Sequence, residues 1–139
     1  MPSYAYLDAS ALVKLGVLEP ETSALEHDVL NRDALFSSVV GAVELTRALR
    51  RAGQRAGLAQ AEAVLASVFL SDFTPAIRVQ AGRLDPPSLR TLDAVHLATA
   101  ASLALPDLDF ITYDDRQAAA ARDLGLRVAQ PGRTLPAGP

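Results

Sequence analysis

The 139-residue chain contains no cysteine, which excludes disulfides, thiolate metal centres and cysteine nucleophiles together. Two histidines are too few for a histidine-rich zinc centre. Of 13 basic residues only Lys14 is a lysine, so arginine supplies nearly all the positive charge. No apolar run approaches the roughly 18 residues of a membrane span. The first residues show neither the basic start nor the apolar stretch of a secretory signal, so the cytoplasm is the expected compartment. An excess of basic charge is missing too. Sixteen acidic residues give a net charge of −3 and a pI near 5.3, which taken alone counts against a nucleic-acid binder. Half of the residues are apolar and 21% charged, the balance of a soluble globular protein. This length suits one domain with a core of its own.

Short β-type runs alternate with helical runs. Tyr4–Leu7, Ala34–Ser37, Asp109–Tyr113 and Leu126–Ala129 read as strands, and Phe73–Thr74 as a brief extended piece. Helical spacing covers Ala9–Val17, a segment opened by Pro20, Val39–Arg51, Leu58–Leu70, Pro75–Leu84, Thr91–Leu105 and Asp115–Leu124, the last closed by Gly125. Residues 1–130 are expected to form one domain and 131–139 a frayed tail. Alternation of this kind predicts an α/β fold with a parallel sheet. Ligands of such sheets sit beyond the carboxyl ends of the strands, near the switch point in strand order.

Carboxylates fall at those places. Asp8 ends the first strand, and Asp114 and Asp115 follow the DFITY run. Glu44 and Asp93 interrupt apolar helical patterns near helix starts. Each has an ordinary explanation as well. Asp8 and Asp114 suit N-caps, and Asp93 suits the first turn of a helix dipole. Glu44 has Arg47 at i+3, but an exposed pair of that kind is worth only about 0.3–0.5 kcal/mol. Brought into one crevice, four acids would raise one another's pKa, and a hard divalent cation is the usual relief. An all-oxygen set favours Mg²⁺ or Mn²⁺ over Zn²⁺. His96 lies three residues after Asp93 on the same helical face; a lone histidine there is expected to be structural rather than a ligand.

Four blocks, YLDASALVKL, SSVVGAVELTRALRR, LRTLDAVHLATA and FITYDDRQAAAARDLGLRV, resemble the PIN domain in order and spacing. Within that family they are similar to the VapC-type ribonuclease toxins of bacterial toxin–antitoxin pairs. The resemblance implies a three-layer αβα sandwich around a short parallel sheet. It also implies that Asp8, Glu44, Asp93 and Asp114 form a catalytic cluster binding Mg²⁺, with Mn²⁺ able to substitute. Asp8 and Asp93 are the first-choice ligands, and Asp115, Ser10 and Thr112 are candidates to assist. The implied activity is endoribonuclease cleavage, and the implied partners are RNA, a cognate antitoxin and a second copy of the chain. Metal-activated water needs no cysteine, histidine or serine nucleophile.

Setting the four acids aside changes the formal charge from −3 to +1 (−3 + 4), so the acidic total says little about the substrate. Arg47, Arg51 and Arg55 share the helical face of Glu44 if the helix runs that far, and guanidinium forks suit phosphate oxygens. A solvated helix face explains them equally well. Leu58–Leu70 is apolar on more than one face, as core packing or a partner contact would require. Phosphotransfer folds of the receiver or haloacid-dehalogenase type also keep acids at strand ends. They need a late lysine or a second aspartate two residues after the first, and here residue 10 is serine. A PIN-type RNA-processing nuclease and a catalytically silent PIN module remain as alternatives.

Overall fold

The computed structural model describes residues 2–53, 55 and 57–133. Five strands, β1 (Tyr4–Leu7), β2 (Ala34–Ser38), β3 (Val68–Ser71), β4 (Leu108–Ile111) and β5 (Arg127–Ala129), form one parallel sheet in the order β3-β2-β1-β4-β5. Seven helices connect them: α1 (Ala9–Gly16), α2 (Thr22–Leu30), α3 (Val39–Arg51), α4 (Gly57–Leu65), α5 (Pro75–Gly82), α6 (Thr91–Ser102) and α7 (Asp115–Asp123). The chain builds outward from β1 to β3, then returns through α5 and α6 to place β4 on the other side of β1. The switch point is therefore the gap between β1 and β4, where Tyr4 pairs with Leu108 and Leu7 with Ile111.

Alternation along the strands divides the core. Ala5, Leu7 and Ile111 pack with Leu12, Leu25, Leu45, Leu49 and Leu65 under α1–α4. Tyr6, Leu108 and Phe110 pack with Leu97, Ala100, Ala120 and Ala121 under α6 and α7. The result is three layers, with the sheet buried on both faces as parallel sheets require. Helix starts are fixed by side chains. Ser38 accepts a hydrogen bond from the Val40 N–H, and Thr74 caps α5 ahead of Pro75.

The segment Leu58–Leu70 departs from the sequence expectation. Its helix ends at Leu65, and Val68–Ser71 is the edge strand β3, in register with Leu35–Ser38. Val68, Phe69 and Leu70 satisfy their backbone along β2, and that ladder overrides a helical pattern carried mainly by alanine and leucine. Phe73–Thr74 is accordingly not a strand; Thr74 serves as a cap. Ala61 and Leu65 enter the core, whereas Leu58, Phe69 and Leu70 stay exposed. The helix from Val39 stops at Arg51 with Ala52 as its cap, so Arg55 lies beyond it. Pro131 and Arg133, placed in a tail by the sequence, are held: Tyr113 donates its hydroxyl to the Pro131 carbonyl, and Arg133 donates to the Tyr113 carbonyl. The rest of that tail, 134–139, lies outside the described residues.

Gly41 sets how closely α3 approaches α1 and α6. A Cβ there would sit 2.8 Å from Ser37 Oγ, 3.0 Å from His96 Cε1 and 3.2 Å from Leu12 Cδ1. Ser37 cannot yield freely, because its hydroxyl is bonded to the Leu7 carbonyl. Gly41→Ala is therefore expected to destabilise by about 1–3 kcal/mol through overpacking, despite a gain of about 1 kcal/mol in helix propensity. Urea melts check this as a lower midpoint at unchanged slope.

Candidate active site

Asp8 is the residue after β1, 3% exposed and facing the switch point. Its Oδ1 accepts the Ala11 N–H at 3.1 Å, capping α1, and the Ser10 hydroxyl at 2.6 Å. Its Oδ2 accepts the Thr112 hydroxyl at 2.5 Å. Ser10 Oγ in turn accepts the Tyr113 N–H, and Thr112 Oγ1 accepts the Asp114 N–H. One carboxylate and two hydroxyls thus tie the end of β1 to the end of β4. Burial raises the Asp8 pKa, and the Ser10 and Thr112 hydroxyls oppose that rise.

The other acids arrive from three helices. Asp114 caps α7, its Oδ1 accepting the N–H groups of Arg116 and Gln117. Asp93 stands in the first turn of α6, whose cap position is Arg90 without a side-chain cap bond. Its pKa is raised first by burial, then by the charges of Asp114 and Asp8, with Glu44 adding to them. Glu44 projects from α3, its Oε1 2.7 Å from His96 Nε2. His96 is 1% exposed, and its other ring nitrogen lies 2.7 Å from the Tyr6 hydroxyl. The ordinary roles foreseen for Asp8, Asp114 and His96 are all present. For the two aspartates, capping consumes one oxygen and leaves the carboxylate at the crevice.

Two clefts are lined by three of these acids, and Asp8, 3% exposed, lines neither. One, of about 680 Å³, is lined by Asp93, Asp114, Asp115, Arg90 and Arg116. The other, of about 540 Å³, is lined by Ser10, Glu44, Arg47, Arg51, Lys14 and Arg133. Lys14 is spoken for: it is paired with Glu19 and Glu21 and lies over the Tyr113 ring. Arg133 is paired with the exposed Asp115 at 2.8 Å. Arg47 and Arg51 are exposed beside Glu44. Among the described residues, no three His, Asp or Glu side chains stand close enough to hold one ion as they are oriented. The donor set is nonetheless all oxygen, and Asp93 carries the repulsion of three neighbouring carboxylates. Both properties fit a hard divalent cation.

Sequence reasoning did not find Tyr6, which reads simply as an apolar strand residue, nor Gln117. The Gln117 side chain is fully buried, donates to the Asp93 carbonyl, and leaves its Oε1 without a partner among the described residues. The sequence signal for both is a polar group on a core-facing position.

A model of the PIN domain matches residues 5–123, and the chain belongs to the PIN-domain family. Among individual relatives, it is 44% identical over 126 residues to ribonuclease VapC46 of Mycobacterium tuberculosis, covering 91% of this chain and 96% of that protein. Ribonuclease VapC35 of the same species is 40% identical over 132 residues, covering 92% and 97%. By structure it is similar to M. tuberculosis VapC20, a sarcin–ricin loop cleaving toxin, with a TM-score of 0.69 and 22% identity over 84% of this chain and 94% of that one. It is also similar to DNA-bound VapBC from Salmonella typhimurium, with a TM-score of 0.71 and 18% identity over 94% and 98%. At those identities the two structures speak to the fold alone. No described helix is long and apolar enough to cross a membrane.

Because its pKa is raised on folding, Asp8 favours the folded state less as pH climbs above the ordinary carboxylate value of about 4. Asp8→Asn keeps an oxygen for the α1 cap and removes the charge. In chelator-treated protein it is expected to melt higher than wild type at pH 7–8, with the difference shrinking as pH falls towards 4. A lower melting temperature throughout would mean that the lost hydrogen bonding outweighs the relieved charge.

Proposed function

We propose that this chain is a metal-dependent endoribonuclease that hydrolyses RNA phosphodiester bonds in the cytoplasm as the toxin of a toxin–antitoxin pair. The observation that carries the metal reading is Asp93, half-buried at the carboxyl edge of the sheet, whose carboxyl is pushed up by burial first and then by the charges of Asp114, Asp8 and Glu44. The VapC ribonuclease relatives support the RNA substrate. The solved VapBC assemblies support an antitoxin partner.

In this reading Asp8, Glu44, Asp93 and Asp114 hold Mg²⁺, with Mn²⁺ able to substitute. When bound, the ion supplies a Lewis acid for the phosphoryl oxygens and an acidified water. The remaining chemistry belongs to the chain. Ser10 and Thr112 hold Asp8 in place, and their hydroxyls oppose the rise that burial gives its pKa. Asp114 is aimed by its cap bonds, with Oδ2 left for the site. Glu44 turns Oε2 towards the cleft while His96 takes Oε1. Arg47 and Arg51 receive the phosphates of the strand flanking the scissile bond, as bidentate guanidinium groups do well. A second copy and an antitoxin would cover apolar surface such as Leu58, Phe69 and Leu70.

Purified protein is expected to cleave single-stranded RNA with Mg²⁺ or Mn²⁺ and not in EDTA. Asp93→Asn or Asp114→Asn should abolish cleavage, and full activity in EDTA would sink the metal reading. Toxicity on induction, relieved by co-expressing a short neighbouring gene product, tests the toxin assignment. Separately, replacing Arg47 and Arg51 by glutamine should weaken RNA binding whatever the sequence. It should also flatten the salt dependence of log K by about 1.4, at ~0.7 for each single-strand phosphate no longer neutralised. An unchanged slope would return both arginines to the role of a solvated helix face.

A further inference from the structure

Unlike Asp8 and Asp114, Glu44 is anchored neither by a helix cap nor by a hydroxyl. Its anchor is a buried relay of two hydrogen bonds, each 2.7 Å long, from Tyr6 through His96. We propose that Tyr6 and His96 are positioning residues, Tyr6 selecting the imidazole tautomer that donates from Nε2 and His96 thereby fixing Glu44 for the metal. The inference rests on the metal reading above for its consequence, and on the geometry alone for the tautomer.

The direction of the relay follows from what each group is able to offer. An ionised Glu44 carboxylate only accepts, so the 2.7 Å bond to it forms only in the tautomer whose proton is on Nε2 and is lost when the proton moves to Nδ1. A neutral imidazole has one N–H, which leaves Nδ1 as an acceptor. The Tyr6 hydroxyl is the proton that meets it. The two neighbouring hydroxyls have their protons placed elsewhere, Ser37 on the Leu7 carbonyl and Thr99 on the Val95 carbonyl. Burial, and then the charge of Asp8, keep the Tyr6 phenol protonated far above its ordinary range.

Packing leaves the ring little choice of pose. Tyr6 is stacked on Phe110 at 5.3 Å with 6° between planes, and His96 meets Tyr6 edge-on at 5.8 Å. A Cβ at position 41 would stand 3.0 Å from His96 Cε1, so glycine there leaves room for the imidazole in this pose. His96 Nε2 thus reaches one oxygen of Glu44, and the other is free for the cleft. Groups that hold a metal ligand in this way are typically worth 10–100-fold in affinity or activity.

The test uses the full chain and two readouts. The first needs no metal: side-chain ¹H–¹⁵N spectra of the chelator-treated protein should show His96 protonated at Nε2 and not at Nδ1. Tyr6→Phe, which keeps the stacked ring, should mix the tautomers. A proton on Nδ1 in wild type would overturn the proposal. The second is Mn²⁺ binding by calorimetry beside RNA cleavage. His96→Leu should weaken Mn²⁺ binding about 10–100-fold and lower kcat with KM nearly unchanged. His96→Gln, whose amide N–H replaces Nε2–H, should recover much of both. In a Glu44→Gln background, His96→Leu should add little.

Equal Mn²⁺ affinity in wild type and His96→Leu would overturn the proposal while leaving the metal reading intact. So would losses that add fully to those of Glu44→Gln. Should His96→Leu not fold, Tyr6→Phe decides: Mn²⁺ affinity and kcat equal to wild type count against the relay. No Mn²⁺ binding by wild type itself would instead remove the metal reading, and the proposed role with it, while the tautomer result still reports on the relay's geometry.

Discussion

The structure depends on one buried carboxylate. Asp8 closes β1, starts α1 and receives the hydroxyls of Ser10 and Thr112, so the two strands flanking the switch point are clasped through its oxygens. A charge so deep is unfavourable even with three donors, and burial raises its pKa despite them. The arrangement is reasonable for a group whose remaining compensation is to come from outside the chain. Stability is given up locally at the place where a cation would return it.

The same economy runs through the rest of the cluster. Asp114 begins α7 with one oxygen and leaves the other uncommitted. Glu44 gives one oxygen to His96. Each side chain is aimed by a bond that the fold needs anyway, so orientation comes from helix starts and core packing, and loops contribute little. Asp93 alone has its position from the first turn of α6 without an anchoring cap, and it feels the charge of all the others.

Much of this is legible in the sequence, because strand ends and helix starts carry strong local signals. Asp8 and Asp114 follow apolar β-runs, and a parallel α/β sheet brings such ends together. The stretch after Leu58 misleads. Helical and strand patterns are hard to separate in a short apolar run, and only the exposed edge of β2 decides for Val68–Ser71. The relay to Glu44 is illegible for a different reason. Tyr6 and His96 are 90 residues apart, and nothing local says that a tyrosine facing the core shares its proton with a histidine. Placing Arg55 on the Glu44 face extends a periodicity past the end of the helix at Arg51.

Lys14 shapes how the surface responds to solvent. It is buried, and its charge is absorbed by Glu19 and Glu21. Every exposed, permanently charged side-chain cation among the described residues is therefore a guanidinium. Guanidinium groups keep their proton in any solution a protein survives, whereas ammonium groups begin to lose theirs near pH 10. The positive field beside the crevice is consequently constant across the alkaline range. Its strength falls as ionic strength rises.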